Sequence, residues 1–310
     1  MRQPNERAIV VSALKHAAPY IRLYKRKVFV LKAGGAVFAE TESTRTLMEQ
    51  VGILHQVGIR VVLVHGGGPQ STELANALGV DSKFVDGRRV TDASALAVSA
   101  MVLNGQINTR ILAACRDLEI PAVGISGVDA GLIQAHRRPP VETDGGRVDY
   151  GHVGDIDGVD IDIVTKQLDN GLMPVISPLS ADDQGELLNI NADTVAAAIA
   201  AELKAEKLIL ATGAPGILAD PDDVSSLVSY VDRDGLAKLR DQGSLADGML
   251  PKAAAIDAAL AGGVERVHMI SSALPDSLLL EVFTNEGTGT LIVDSIDALT
   301  PAEQKSGGAT

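Results

Sequence analysis

A strand that ends in three consecutive glycines is the feature that most constrains the fold of this chain. The segment reads Val61-Val-Leu-Val-His-Gly-Gly-Gly-Pro-Gln70. An uninterrupted apolar run of this kind is typical of a strand buried on both faces of a parallel sheet. The glycines Gly66, Gly67 and Gly68 allow a sharp turn and bring backbone N–H groups close to a ligand. Because a helical pattern follows at 71–78, these groups are predicted at a helix N-terminus, which favours an anion. A tight turn without a ligand is the alternative.

A second turn of the same kind follows the apolar segment 28–31, which leads into Lys32 and the pair Gly34-Gly35. Two glycine turns after two buried strands, one of them with a lysine, favour a shared anionic ligand at the carboxyl ends of a parallel sheet. Neither turn has the G-x-x-x-x-G-K-[ST] pattern of a P-loop, and no G-x-G-x-x-G opens a helix. P-loop enzymes and dinucleotide dehydrogenases are therefore poor fits.

The composition restricts the partners and the compartment. Aromatic residues make up only 3% of the 310 residues, so the core is expected to consist mainly of Ala, Val, Leu and Ile. The net charge of −13 argues against nucleic acid as a partner, because phosphate backbones are bound through basic surfaces. The single cysteine, Cys115, is predicted to be buried and suits a reducing compartment. No apolar run approaches about 18 residues and no signal peptide is recognised, so we expect a cytoplasmic protein without a membrane span.

Strands and helices alternate along most of the chain. The predicted strands are 28–31, 60–64, 122–125, 174–176, 207–211 and 266–270. The predicted helices are 6–24, 43–57, 71–78, 93–104, a separate helix that follows it and ends at Leu118, 193–203, 236–242 and 252–261. Repeated strand–helix units with short links predict an α/β fold, a three-layer αβα sandwich with a mainly parallel central sheet. An N-terminal helix that Pro19 kinks or interrupts precedes this sheet. The segment 137–157 is rich in Gly, Pro and charge and is predicted as a hairpin or flap outside the core.

Nine short motifs follow one another along the chain. They are KAGG (32–35), VHGGGPQ (64–70), GRRVTD (87–92), NGQIN (104–108), GISG (124–127), DYGHVGD (149–155), NINAD (189–193), GMLPK (248–252) and EVFTNEGTGT (281–290). Their order and spacing resemble those of the N-acetylglutamate kinases in the amino-acid kinase family, over roughly residues 8–293. The resemblance implies a kinase that uses ATP with Mg²⁺ to phosphorylate the side-chain carboxylate of N-acetyl-L-glutamate. This reaction is the second step of arginine biosynthesis.

The resemblance also implies the catalytic residues. Lys32 and Lys252 would flank the moving phosphoryl group, and Asp193 would lie between them and orient both ammonium groups. Gly35 and the turn at 66–68 would donate backbone N–H groups to the phosphoryl group and the substrate. A carboxylate is already ionised at pH 7, with a reference pKa of about 4.3 for glutamate, so positioning and charge neutralisation suffice and no general base is needed. No metal-ligating residue is assigned.

The same resemblance assigns further positions to the substrate and to the nucleotide. Arg89 would clamp the α-carboxylate of the amino acid, for which a guanidinium fork is well shaped, and Asn189 would hold its amide and carboxylate end. Arg88, which precedes Arg89, is interpreted as a solvated charge, and His65 as a structural residue that packs at the end of a strand. The nucleotide-binding candidates are Thr212, Gly213, Gly216 and Lys252.

Two positions depart from the family pattern. Gly213 stands where an Asp is usual, and Asp247 stands where a second Gly is common. Both lie in the segment assigned to the nucleotide. They support one alternative, a catalytically impaired homologue that binds arginine. A separate alternative keeps the fold and changes the acid to N-acetyl-aminoadipate, one methylene longer, in a lysine-type pathway.

The N-terminal pattern at 12–22 resembles the helix that joins dimers into a hexamer in arginine-inhibited members of the family. There arginine would bind between this helix and the C-terminal segment, with Tyr20, Glu281, Gly287 and Gly289 as candidates and Asp276 where a His is frequent. The alternative is a helix that packs only on its own domain, and a dimer. The implied division is an oligomerisation helix (1–26), a substrate-binding N-lobe (27–180), a nucleotide-binding C-lobe (181–298) and a disordered tail (299–310).

Overall fold

The computed structural model describes residues 6–85, 88–143, 146–245, 248–285 and 287–299. Its α-helices are α1 (Glu6–Tyr24), α2 (Thr41–Gln56), α3 (Gly68–Ala77), α4 (Ala93–Ala100), α5 (Thr109–Asp117), α6 (Asp162–Asp169), α7 (Ala192–Glu202), α8 (Arg233–Asp241), α9 (Leu250–Ala261) and α10 (Ser277–Phe283). Its strands are β1 (Val28–Ala33), β2 (Arg60–His65), β3 (Lys83–Val85), β4 (Arg88–Val90), β5 (Ala122–Ser126), β6 (Ile133–Arg137), β7 (Val141–Thr143), β8 (Gly146–Val148), β9 (Gly154–Val159), β10 (Met173–Ser177), β11 (Leu179–Ala181), β12 (Leu187–Asn189), β13 (Lys207–Thr212), β14 (Tyr230–Asp232), β15 (Val267–Ser271) and β16 (Thr290–Val293).

A twisted central sheet carries the fold. Within the described residues it contains eight strands in the order β14-β16-β15-β13-β1-β2-β10-β5. Neighbouring strands are parallel except for β15 and β16, which are antiparallel. Helices cover both faces, so the predicted three-layer sandwich with a mainly parallel sheet is confirmed. Parallel strands that are buried on both faces read as continuous apolar runs, which is the pattern that the sequence carries.

Alternate residues of each central strand enter different cores. On β1, Val30 packs with α7 and α9, whereas Leu31 faces α2 on the opposite side of the sheet. Small side chains let the helices approach closely, and a Cβ on Gly262 would lie 2.4 Å from the Cβ of Ala201. This close approach explains how a chain with few aromatic residues fills its core with Ala, Val, Leu and Ile. Cys115 is buried in the α2 core, as predicted.

Short strands missed by the sequence build a second sheet beside the carboxyl ends of the central strands. Its order is β12-β11-β6-β9. The hairpin of β7 and β8 agrees with the flap predicted for 137–157, but the end of that segment was wrongly placed outside the core. Residues 154–157 belong to β9, which pairs with β6, and Ile156 packs against the main core. Strands of three to six residues with mixed polarity carry too weak a periodicity to be recognised.

Two helical breaks that the sequence predicts are absent from the described structure. Helix α1 runs from Glu6 to Tyr24 with Pro19 inside it, so the helix does not end and restart at this residue. Helices α4 and α5 are joined by a π-helical segment, Met101–Asn108, in place of the break predicted after Asn104. In the described part of the chain, no helix is both long and apolar enough to cross a membrane. The predicted disordered tail, from residue 300 onward, lies outside the described residues.

Candidate active site

The two glycine turns lie against each other at the carboxyl ends of β1 and β2. These strands pair in parallel, and the N–H of Gly66 donates to the carbonyl of Ala33 at 2.9 Å. A Cβ on Gly35 would lie 2.9 Å from the Cα of Gly67, closer than real Cβ contacts allow. The amide of Gln70 ties the turns together by donating to the carbonyl of Gly35 at 2.6 Å. The contact therefore requires glycine, and helix α3 starts within it at Gly68.

A cavity of about 350 Å³ opens beside these turns. Every residue that the sequence assigns to catalysis or to the amino-acid substrate lines it: Lys32, Gly35, Gly66, Gly67, Gly68, Arg89, Asn189, Asp193 and Lys252. They come from five separate parts of the chain, namely β1, the β2–α3 turn, β4, the β12–α7 segment and α9. The packing of α7 and α9 on the β1 face of the sheet brings the charged ones together.

Asp193 lies between the two lysines. Its Oδ1 is 2.8 Å from the Nζ of Lys32, and its Oδ2 is 3.0 Å from the Nζ of Lys252. Asn191 caps α7 by accepting from the backbone N–H groups of Asp193 and Thr194, which fixes the first turn that carries the carboxylate. Because Asp193 is only 3% exposed, its carboxylate is held by these cations rather than by water.

Lys32 and Lys252 carry two positive charges and Asp193 carries one negative charge, so the three side chains together have a net charge of +1. Burial opposes ionisation of Asp193, but the charges of Lys32 and Lys252 outweigh it and lower the pKa of the Asp193 carboxyl. Burial lowers the pKa of the Lys32 ammonium, and Lys252 adds to this effect while Asp193 opposes it. A buried excess cation is costly unless it is paired. An anionic ligand in the cavity would complete the charge balance.

Arg89 on β4 lines the same cavity, and its guanidinium donates to the carbonyl of Gly68 at 3.3 Å. Its guanidinium donates to Ser82 Oγ at 2.6 Å and to Thr72 Oγ1 at 2.6 Å, and it stacks on the Phe84 ring at 4.6 Å. Burial lowers the pKa of the Arg89 guanidinium. Among the described residues no carboxylate pairs with it, so hydroxyl groups and an aromatic face fix its direction and leave its charge to a ligand. The side chain of Arg88 lies outside the described part of the structure.

Asn189 is the last residue of strand β12 and lines the same cavity. Its backbone N–H donates to the carbonyl of His152 at 2.9 Å, which fixes the main chain. Its side-chain amide reaches only Thr91 Oγ1, at 3.5 Å, a long contact for a hydrogen bond. The amide is therefore available to a ligand in the cavity.

Comparisons with known proteins agree with this geometry. The profile of the amino acid kinase family matches residues 27–271. The chain belongs to the amino acid kinase family. An acetylglutamate kinase from Myxococcus xanthus (strain DK1622) is 48% identical over 288 residues, which cover 91% of this chain and 94% of that one. An acetylglutamate kinase from Symbiobacterium thermophilum (strain DSM 24528 / JCM 14929 / IAM 14863 / T) is 45% identical over 284 residues, which cover 91% and 97%.

Solved structures of other proteins share the fold. N-acetylglutamate synthase from Neisseria gonorrhoeae, in complex with coenzyme A and L-arginine, superposes with a TM-score of 0.81 at 30% identity. The match covers 92% of this chain but only 65% of the synthase, so this chain spans less than two thirds of that protein. Carbamate kinase from Giardia lamblia bound to AMP-PNP has a TM-score of 0.61 at 16% identity, over 87% of this chain and 99% of that one, and shows the fold alone.

The nucleotide candidates lie at the carboxyl end of β13, the direct neighbour of β1. Thr212 is the last residue of β13, and Gly213 and Gly216 follow it, but none of the three is among the described residues that line the cavity. Thr212 closes the turn by hydrogen bonds with Ala214. A Cβ on Gly213 would meet nothing within 4 Å, whereas a Cβ on Gly216 would lie 2.6 Å from Thr290 Oγ1. Asp247 lies outside the described residues.

The effector candidates form a separate cluster at the other end of the sheet. Tyr20 on α1 donates to Asn285 Oδ1 at 2.5 Å, which joins the N-terminal helix to the segment after α10. Glu281 is buried, and its oxygens contact His268 Nδ1 at 2.6 Å and the N–H of Thr288 at 2.7 Å. Burial opposes ionisation, but His268 and the Thr288 N–H lower the pKa of the Glu281 carboxyl to about 2.

The two effector glycines have different packing reasons. A Cβ on Gly289 would lie 1.9 Å from the carbonyl oxygen of Met269, and Gly287 adopts a left-handed φ of 59° against the Glu281 carboxylate. Asp276, where a histidine is frequent in the family, stands at the start of α10. The carboxylate of Glu281 is thus already paired within the chain. A guanidinium ligand would have to share it with His268.

Sequence reasoning missed three residues that build the site. Gln70 stood out only as the last letter of a motif, yet its amide holds Gly35. Asn108 donates to the carbonyl of Val175 at 3.0 Å and lies 3.3 Å from His65 Nε2, beneath the glycine turn. Arg138 lines the cavity beside Asn189. In the sequence, Arg138 is only a charged residue after a short strand. Such residues are common in surface loops, so nothing distinguished it as part of the site.

Proposed function

We propose that this chain is an ATP-dependent kinase that transfers a phosphoryl group to the side-chain carboxylate of N-acetyl-L-glutamate, in arginine biosynthesis. One arrangement carries the proposal: Asp193 holds Lys32 and Lys252 together beside two glycine turns, and Arg89 faces the same cavity without a carboxylate partner among the described residues. The curated relatives that are 45–48% identical over nine tenths of the chain are acetylglutamate kinases.

The cavity fits the phosphates of a nucleotide and an acidic substrate together. Lys32 and Lys252 present two ammonium groups against one carboxylate, and a Cβ on Gly68 would meet no atom within 4 Å. When bound, Mg-ATP supplies the phosphoryl group and neutralises part of its charge. Mg²⁺ in such sites is commonly held by substrate phosphates and one or two carboxylates. Lys32 and Lys252 are therefore placed to neutralise the phosphate charge that Mg²⁺ leaves uncompensated.

The proposed mechanism needs no proton transfer by the protein. The substrate carboxylate is already ionised and would attack the γ-phosphorus directly, so that an acyl phosphate forms while the bond to the bridging β,γ-oxygen breaks and ADP leaves. Lys32 and Lys252 neutralise the charge of the approaching groups, while the N–H groups of Gly35 and of the turn at 66–68 donate to the phosphoryl and carboxylate oxygens. Arg89 and Asn189 hold the amino-acid end so that the side-chain carboxylate points to the lysines. Asp193 fixes both lysines without touching the substrate.

The division into lobes is part of the proposal. Residues 27–180 would bind the amino acid and residues 181–298 the nucleotide, with Lys252 at the junction and the turn Thr212, Gly213 and Gly216 against the phosphates or the base. The adjacency of β13 and β1 supports this, because it brings that turn and Lys32 to the same edge of the sheet. The single cysteine and an ATP-dependent biosynthetic step support a cytoplasmic location.

A steady-state assay of ADP release tests the function. Purified protein is given Mg-ATP with N-acetylglutamate, with N-acetyl-aminoadipate and with no acceptor. We expect turnover with N-acetylglutamate and a kcat/KM at least tenfold lower with the acid that is one methylene longer. A preference for the longer acid would reassign the substrate. No turnover with either acid, together with tight binding of arginine, would support the impaired binding protein.

We also propose that α1 joins subunits into a homo-oligomer, a dimer or a hexamer, and that arginine inhibits the enzyme at Tyr20, Glu281, Gly287 and Gly289. Ile9, Val10, Val11 and Leu14 on α1 are each more than half exposed, an apolar surface that a second subunit would cover. The synthase with 30% identity was crystallised with L-arginine. Light scattering of Leu14→Glu should show a smaller assembly than the wild type. An unchanged mass would leave α1 as a helix that packs only on its own subunit.

A further inference from the structure

Arg138 is a second guanidinium on the wall of the substrate cavity. Its side chain is 16% exposed, and it follows β6, directly beside the wall that carries Asn189. Nε lies 2.9 Å from Oδ1 and 3.1 Å from Oδ2 of Asp155, and Nη2 lies 2.5 Å from Oδ1. The guanidinium also sits 6.0 Å above the ring of Tyr150. It is therefore fixed in direction before any ligand binds.

One short segment, residues 150–153, connects Arg138 with the two proposed substrate residues. The carbonyl of Tyr150 accepts from Thr91, two residues after Arg89, at 2.9 Å. The carbonyl of His152 accepts from the N–H of Asn189 at 2.9 Å, and the carbonyl of Val153 accepts from the N–H of Arg138 at 2.7 Å. Three backbone hydrogen bonds thus join the main chains of β4, β12 and the end of β6 through one segment, and Arg89, Arg138 and Asn189 all line the same cavity.

The pairing of Arg138 decides which group it can recognise. Asp155 takes Nε and Nη2, and no described residue accepts a hydrogen bond from Nη1. Together Arg138 and Asp155 carry no net charge, whereas Arg89 has no carboxylate partner among the described residues. A free carboxylate is therefore best placed at Arg89. A neutral acceptor, such as an amide carbonyl, is best placed at the Nη1 of Arg138.

We propose that Arg138 is a substrate-binding residue whose Nη1–H donates to the carbonyl oxygen of the N-acyl group, and that it selects the acylated amino acid over the free one. The inference rests on the proposed function, and it assigns the acyl end of the substrate to the wall formed by Arg138, Asn189 and Val153. Free glutamate has an ammonium group at this position. An ammonium cannot accept the hydrogen bond and would face a guanidinium.

The test compares Arg138→Met with Arg137→Met. Methionine keeps most of the stem volume and removes every donor. Arg137 is the neighbouring control: its Nη2 pairs with Asp149 and its Nε donates to the carbonyl of Gly151 at 2.9 Å, but it is 53% exposed and is not among the described residues that line the cavity. For each variant, KM and kcat are measured with N-acetylglutamate, N-formylglutamate, glutamate and ATP.

We expect Arg138→Met to raise KM for both acylated substrates by on the order of 10- to 100-fold, the size of one hydrogen bond to a charged group. KM for ATP should stay within about twofold, and the preference for N-acetylglutamate over glutamate should fall by the same 10- to 100-fold. Arg137→Met should change neither. N-formylglutamate separates the carbonyl from the methyl group, since it keeps only the former.

Three outcomes would overturn the inference: an unchanged preference for the acylated substrate, parallel changes in KM for ATP, or the same effect in Arg137→Met. Each would make Arg138 only a structural ion pair between β6 and β9. If Arg138→Met does not fold, Arg138→Lys keeps a charge opposite Asp155 and should lose the same preference with an unchanged melting temperature. A wild-type enzyme that does not phosphorylate N-acetylglutamate would instead overturn the proposed function.

Discussion

The Nζ of Lys32 and the Oδ1 of Asp193 lie 2.8 Å apart, although the two residues are far apart in the chain. Lys32 ends a buried strand and Asp193 opens a helix that packs on that strand, so the contact depends on the whole sandwich. Lys252 approaches the second oxygen of the same carboxylate from α9. A single buried carboxylate therefore sets the distance between two cations.

Replacement of Lys32 tests its proposed electrostatic role. Lys32→Ala removes a charge that neutralises the transferring phosphoryl group, so kcat should fall by roughly 10²- to 10³-fold, with a much smaller change in KM. Lys27→Ala is the control, because Lys27 lies five residues earlier and forms an exposed pair with Glu206. Steady-state kinetics of both variants decide the point. A Lys32→Ala enzyme that retains half of the wild-type kcat would remove Lys32 from the mechanism.

A conservative change at Arg89 tests the substrate clamp. Lysine keeps the positive charge but lacks the planar fork that binds a carboxylate through two hydrogen bonds. Arg89→Lys should therefore raise KM for N-acetylglutamate by on the order of tenfold or more and leave KM for ATP nearly unchanged. The exposed Arg116 on α5 provides the control variant Arg116→Lys. Equal increases in both KM values would indicate that Arg89 only supports the β3–β4 hairpin.

The parallel sheet and the residues at its strand ends were predictable from local sequence. Buried parallel strands are continuous apolar runs, and a glycine run directly after such a strand is typical of a turn where the backbone approaches a ligand. Lys32 and Gly66 thus marked the site before any contact was known. The residue roles came from the order of the motifs and not from their individual patterns.

Contacts between distant side chains were not predictable. Arg138 resembles its exposed neighbour Arg137 in sequence, and only the fold turns one toward the cavity and the other toward solvent. The π-helical segment before Asn108 was also hidden, because one inserted residue in a helix changes the hydrogen bonds but hardly the apolar periodicity. Pro19 indicated a break in the N-terminal helix, but the helix continues through it from Glu6 to Tyr24.

Gly213 is predicted to leave nucleotide binding intact. The wild type should bind a non-hydrolysable Mg-ATP analogue in calorimetry, because Lys32, Asp193 and Lys252 still form the ion pairs that a decayed site has no reason to keep. Gly213→Asp should fold normally, since a Cβ there meets open space. Gly216→Asp should lower the melting temperature, because its Cβ would lie 2.6 Å from Thr290 Oγ1. No heat with millimolar analogue and folded wild-type protein would favour the binding-protein alternative over the kinase.

His65 is predicted to make stability depend on pH. Its ring is fully buried, and burial lowers its pKa from 6.5 to about 4, against a smaller opposing contact with the Gly66 carbonyl. The ring in the unfolded chain takes up a proton near pH 6.5, whereas the ring in the folded protein does so only near pH 4. The contribution of the neutral, buried His65 to the free energy of unfolding is therefore complete above pH 6.5 and is lost as the pH falls to 4. A shift of this size corresponds to about 3 kcal/mol. The free energy of unfolding of the wild type should therefore fall by about 3 kcal/mol more than that of His65→Gln between pH 7 and pH 4, as measured by urea denaturation. His16→Gln, on the exposed face of α1, should follow the wild type. A constant difference between wild type and His65→Gln across this range would show that the ring does not resist protonation.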